Sequence, residues 1–204
     1  MILFKKAHLI FPALVLALAL ANPAHAADTP ALDETLTWRV LLFGESDLVT
    51  KQPELVMDSL DKKDGETSLS FETAGQGKPN LWLGLLGDFK TPINMADYES
   101  MSVSYKITAK VLDAPPNTKQ IMRLTLGKVG TAYLMIATQE MELDGEWHTL
   151  EVPISDFKYL GDPAESSEYN GEDANHIGFQ MFFTRADSFD VAVKVDNIHL
   201  KPKP

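Results

Sequence analysis

The chain has 204 residues, of which 29 are acidic and 18 basic, a formal charge of −11, and no cysteine. That balance sets it against nucleic acid and anionic lipid headgroups. The absence of thiols excludes a disulfide framework and a lipid-modified N-terminal cysteine, so an exported domain of this size must rest on its own hydrophobic core.

Residues 1–26 read as a secretory signal peptide. Lys5 and Lys6 form the charged start, an apolar run extends from about Leu9 to Ala21, and Ala24-His25-Ala26 supplies a small-residue cleavage site. A membrane anchor is the weaker reading, because the run is shorter than the ~20 residues needed to span and Pro12 and Pro23 interrupt it. Cleavage after Ala26 removes two lysines and no acid, leaving 16 cations against 29 acids, or −13. The expected location is the periplasm or the outside medium, with no membrane insertion after cleavage. The charge keeps such a protein soluble, and it disfavours sulfated or uronic-acid polymers unless calcium bridges them. Neutral ligands fit it more easily.

Residues 27–34 are small and polar and read as a flexible leader. Thr35–Phe43 is the first strand candidate, and Leu55–Met57 a short second one. Asp58, Asp61 and Asp64 then punctuate an acidic turn ending at Gly65. In Thr67–Thr73, Leu69 and Phe71 point one way and Ser68, Ser70 and Glu72 the other. Leu81, Leu83 and Leu85 share a face, which leaves Trp82 and Gly84 opposite. Asn94–Ser100 is a turn, and Met101, Val103, Tyr105 and Ile107 again alternate inward.

After a rigid loop at Ala114-Pro115-Pro116-Asn117, Met122, Leu124 and Leu126 face the core and Arg123 and Thr125 face away. Thr131–Thr138 follows. Asp144-Gly145 opens a strand that Pro153 stops, having no N–H for the ladder. Beyond a polar loop at Asp162–Asp173, Ile177, Phe179, Met181 and Phe183 face inward, opposite Gly178, Gln180, Phe182 and Thr184. Val191–Leu200 is a β-branched strand interrupted at Asp196-Asn197. Sustained 3.6-residue periodicity is absent outside the signal, and the spacing of short strands predicts one all-β domain over 35–202, an antiparallel sandwich.

Two stretches carry a family resemblance. Gly145–Phe157 (GEWHTLEVPISDF) is followed some forty residues later by Val191–Leu200 (VAVKVDNIHL). Upstream come Gly65-x-x-Ser68-Leu69-x-Phe71, then Trp82-x-Gly84, then Met95-Ala96-Asp97-Tyr98-x-Ser100-Met101. This progression, from about Leu55 to Leu200, resembles jelly-roll carbohydrate-binding modules of the galactose-binding-like type. It is also similar to the complex I intermediate-associated proteins. The resemblance implies a jelly-roll β-sandwich whose curved sheet presents a groove. It further implies a structural Ca2+ near a last-strand aspartate, here Asp196, with oxygens from an early turn, here Asp64.

Glycan recognition needs flat apolar surface for the C–H faces of sugar rings and fixed polar groups for hydroxyls. Trp82, Arg123, Gln180 and Phe182 fall on the outward face by parity, with Tyr133 as a fifth candidate. Tyr159 and Tyr169 stand near the long loop, and Trp147 and Tyr98 read as structural. The alternative for Trp82 and Phe182 is cover by a loop or membership of a second small core. Catalytic signatures are missing: His148, His176 and His199 are scattered, and there is no G-x-S-x-G elbow. The expectation is therefore a non-enzymatic glycan binder, with an envelope protein–protein interaction or assembly factor as the alternative.

Overall fold

In the computed structural model, which describes residues 31–44, 48–76, 81–112, 120–128, 134–160, 169–182 and 188–204, alternation at period two becomes two stacked antiparallel sheets. A helical turn, α1 (Leu32–Thr35), precedes β1 (Thr37–Gly44), β2 (Val49–Lys51), β3 (Val56–Asp58) and β4 (Ser68–Gln76). Two long strands follow, β5 (Leu81–Ile93) and β6 (Tyr98–Leu112), then β7 (Ile121–Gly127) and β8 (Leu134–Glu140). The remainder is β9 (His148–Pro153), β10 (Lys158–Tyr159), β11 (Ala174–Phe182) and β12 (Ser188–Pro202). The first sheet runs β1-β5-β11-β7-β8-β10; the second runs β2-β4-β12-β6-β9, with β3 also on β4. This is the all-β jelly-roll sandwich the strand pattern predicts.

The core lies between the sheets. Leu83 and Leu85, Met122, Leu124 and Leu126, and Ile177, Phe179 and Met181 come from the first sheet; Leu69 and Phe71, Met101 to Ile107 by alternation, and Val191, Val193 and Val195 come from the second. Burying each large aliphatic side chain stabilises by about 1.5–3 kcal/mol relative to exposure. The alternation extends further than the sequence suggests in β5, because Gly87 occupies an inward position filled by the Trp38 ring, 2.8 Å from where a Cβ would stand.

Two parts of the sequence reading change for physical reasons, and a third, the interruption of the last strand, acquires its geometry. Leu32 and Asp33, assigned above to a flexible leader, are packed: the buried Asp33 carboxylate accepts the Ile198 N–H at 2.7 Å, and Leu32 C=O accepts the Trp38 indole N–H at 3.2 Å. The interruption at Asp196-Asn197 is a bulge between Asp196 and His199, with Asn197 in the left-handed region at φ 53°, and Ile198 and Leu200 then return to the core. The acidic turn lies across the outer face of the second sheet. Lys194 pairs with Asp58 and, at 3.3 Å, with Asp61; Lys106 reaches Asp61 at 3.0 Å, and the Trp147 indole N–H reaches it at 3.2 Å. The Lys194 hydrogen bond, above all, holds the Asp58 carboxyl down to about 2. Ion pairs thus fasten the turn to that face at Lys106 and Lys194.

Candidate functional site on the first sheet

The outer face of the first sheet differs. Register places its outward residues in rows across the strands. Trp82 lies opposite Phe182, which lies opposite Ile121; one row along, Gly84 lies opposite Gln180 and Gln180 opposite Arg123. Residues directly opposite in an antiparallel pair project from the same face, so the ladder alone fixes this cluster.

The Trp82 and Phe182 rings stack with centroids 4.6 Å apart and planes 27° from parallel. Both side chains are half-buried, and neither belongs to the core between the sheets. Arg123 reaches over from β7 and sets its guanidinium carbon 4.0 Å from the centre of the indole ring. Gly84 keeps the floor beside the indole low; a Cβ there would stand 2.2 Å from the Phe179 carbonyl oxygen. Gln180, half-buried, offers an amide within the same patch. Burial pushes the Arg123 guanidinium below its ordinary pKa, and its Nε is buried without a hydrogen-bond partner among the described residues. Aromatic surface, a fork of N–H donors and an amide therefore meet on one outward patch, suited to a ligand with both apolar faces and polar edges.

No protein-family model matches the chain, and no curated protein matches it either. Solved structures do. The family 11 carbohydrate-binding module of a cellulosomal cellulase of Clostridium thermocellum superposes with a TM-score of 0.58 at 18% identity, over 85% of this chain and 94% of that one. A structure of the Clostridium thermocellum family 11 module in complex with a β-1,3-1,4-mixed-linked tetrasaccharide gives 0.51 at 15% identity, over 81% and 88%. A carbohydrate-binding-module structure from a study of promiscuous specificity in the β-sandwich superfamily gives 0.53 at 13% identity, over 85% and 61%. The fold is that of a carbohydrate-binding module.

Within this module fold, the five proposed ligand residues are distributed as follows. Trp82, Arg123, Gln180 and Phe182 come together on the first sheet; Tyr133 lies outside the described residues. Tyr159 sits half-buried on the edge strand β10. Tyr169 is buried, with the Lys128 ammonium 5.8 Å from its ring centre, and burial pushes its phenol up to about 12.

The other end of the same face is closed. Leu86, Thr125 and His176 project outward by register, yet they are buried and stand apart from the main core, apart from the aromatic patch. The Thr125 hydroxyl fills the space that a side chain at Gly178 would take, 2.3 Å from a Cβ placed there. Burial pushes His176 down to about 4, while the Arg39–Asp88 ion pair flanks it with charges of both signs. Parity alone gave no sign of this closure, because it records direction and not cover.

Asp196 and Asp64 meet differently from a metal pair. Asp196 is buried; its Oδ2 accepts the backbone N–H groups of Lys63 at 2.5 Å and Asp64 at 3.0 Å, and its Oδ1 accepts that of Asn197 at 2.6 Å. The Asp64 carboxylate turns away to the Gly65 N–H. The residue the sequence reading missed is Asp33, whose Oδ2 is buried without a partner among the described residues and whose carboxyl is raised to about 6, by burial first and with neighbouring Asp196 adding to it. Calcium takes six to eight oxygens. Among the described residues no group of three or more acidic, histidine or cysteine side chains converges.

Proposed function

We propose that the protein binds a glycan reversibly on the outer face of its first sheet, through Trp82, Phe182, Arg123 and Gln180, and performs no chemistry on it. The single observation carrying this reading is the stacked Trp82–Phe182 pair with Arg123 over the indole, outside the core of a carbohydrate-binding-module fold. Aromatic side chains stack on the C–H faces of sugar rings, and the guanidinium and amide direct N–H donors at ring oxygens and hydroxyls. Few residues would supply most of the affinity, so one module should bind weakly. Secretion through the N-terminal segment would bring this face to extracellular or periplasmic polysaccharide.

The test is retention on immobilised polysaccharides and a glycan array, comparing the wild-type chain with Trp82→Ala. Loss of retention in a variant that still folds, its melting temperature lowered by no more than several degrees, supports the reading. Retention unaffected by the substitution removes the patch from the ligand site.

A second reading, protein binding in the envelope, draws on a different surface. Val56, Met57 and Leu60 are 54%, 49% and 95% exposed on and just after the edge strand β3. Co-purification of a stoichiometric protein that is lost on replacing these three by serine, together with a blank glycan array, would favour it.

A further inference from the structure

We infer that the saccharide taken by this face carries a negative charge, a carboxylate or a sulfate ester, and that Arg123 is the group that reads it. This rests on the glycan reading above and deepens it. Four basic side chains among the described residues are half-buried: Lys106, Arg123, Lys128 and Lys194. Three of them have a carboxylate within reach, Lys106 at Asp61, Lys128 at Asp173 and Lys194 at Asp58. Arg123 alone of the four makes no ion pair with a described residue, in a chain with 29 acids to 18 bases. Partial burial strips water from a cation, and the cost is ordinarily met by an acid. Here no described acid pairs with the cation, although acids are in surplus.

The surroundings agree. The registered outward rows of the first sheet hold Arg39, Arg123 and Lys158 against Asp88 and Glu140. That is three cations to two acids, and Arg39 is already joined to Asp88. A guanidinium held over an indole by its carbon still carries a fork of N–H donors, the group that pairs bidentately with a carboxylate or sulfate. Trp82 and Phe182 supply apolar ring surface beside it, so charge and sugar face are read together. The overall charge of −11 argues for neutral ligands only at long range. At physiological ionic strength charges are screened beyond about 8 Å, and a guanidinium within hydrogen-bond reach decides the local preference.

The experiment is calorimetric titration of the purified protein with tetragalacturonate, a heparin-derived tetrasaccharide and cellotetraose, each at low and at physiological salt. The expected result is that one of the two acidic oligomers binds about 10-fold or more tightly than cellotetraose. That preference should shrink with added salt and be lost in Arg123→Gln. The carboxylate and sulfate arms separate the two sources of charge. Cellotetraose binding as tightly as either acidic oligomer, unchanged in Arg123→Gln, overturns the inference and leaves glycan binding standing. Retention of no saccharide of any class on the array overturns both. Should Arg123→Gln fail to fold by circular dichroism, Arg123→Lys serves instead: it keeps the charge but not the fork, and unchanged acidic-oligomer affinity in it counts against bidentate reading.

Discussion

Trp82 and Phe182 are register partners on adjacent strands, and their rings hold each other at 4.6 Å on the side of the sheet that faces away from the core. A stacked aromatic pair is worth about 0.5–1.5 kcal/mol beyond the area it buries. Each of Trp82→Ala and Phe182→Ala should therefore cost about 1–2 kcal/mol in denaturant unfolding, and the double variant should cost less than the sum by about 1 kcal/mol. A coupling near zero would mean the rings stand apart in solution as two separate side chains.

Two buried titrations work against each other below neutrality. Asp33 has its pKa raised from 3.8 to about 6, so the stability it brings is complete below 3.8 and is lost as pH rises through 6. His176 is lowered from 6.5 to about 4, so its contribution is complete above 6.5 and is lost as pH falls through 4. Each shift corresponds to about 3 kcal/mol over its full window. Between about pH 7 and pH 5 wild-type stability should change little. Asp33→Asn, which keeps an oxygen for the Ile198 N–H, should stabilise at neutral pH and expose a decline on acidification. His176→Gln should expose the opposite slope. Melting curves across this range check both signs. EDTA should leave the wild-type curve unmoved; a drop of several degrees would show that a cation, and not a proton, satisfies Asp33 Oδ2.

What the sequence could and could not reveal divides along one physical line. The inward faces of β6, β7 and β11 were legible because Met101 to Ile107, Met122 to Leu126 and Ile177 to Met181 state their alternation in consecutive residues, and those residues are at most 2% exposed. The placement of Trp82, Arg123, Gln180 and Phe182 on one outward face follows from the same parity. Contacts between distant segments left no such trace. Asp33 meets Ile198 across 165 residues, and Lys194 meets Asp58 across 136. A lone aspartate in a polar stretch reads as leader until its partner is known. Cover was equally invisible: Thr125 and His176 project from the same face as Arg123 yet are buried.

Gly84 sets the height of the floor beside the indole. Its missing Cβ would lie 2.2 Å from the Phe179 carbonyl oxygen and 2.9 Å from the Gln180 Cα, both backbone atoms that cannot swing aside. Gly84→Ala must spread β5 from β11, which carries Trp82 away from Phe182. The expected cost is about 2–3 kcal/mol with partial loss of glycan retention. Its control is Lys110→Ala on the exposed side of β6, which should change neither. Wild-type stability in Gly84→Ala would show that the strands have slack at this row.

The acidic turn gives the last test, because Asp61 is its clasp. One carboxylate receives Lys106 at 3.0 Å, Lys194 at 3.3 Å and the Trp147 indole N–H at 3.2 Å, and the Ser68 hydroxyl bonds to the Asp61 carbonyl. Burial opposes ionisation of that carboxyl, but the three donors outweigh it and hold the pKa below its ordinary value. Single exposed ion pairs contribute little, whereas a network closing on one anion couples the turn to β6, β12 and the residue before β9 at once. Asp61→Ala should cost about 1–2 kcal/mol and leave Lys194 to Asp58 alone. The same change should loosen the chain at Lys62-Lys63, where the Lys63 N–H is otherwise tied to Asp196. Limited trypsin digestion should then cut first at this pair and faster than in wild type, with the fragments read by mass. If cleavage there is no faster, the turn is held by the Asp196 hydrogen bonds and Asp58 without help from Asp61.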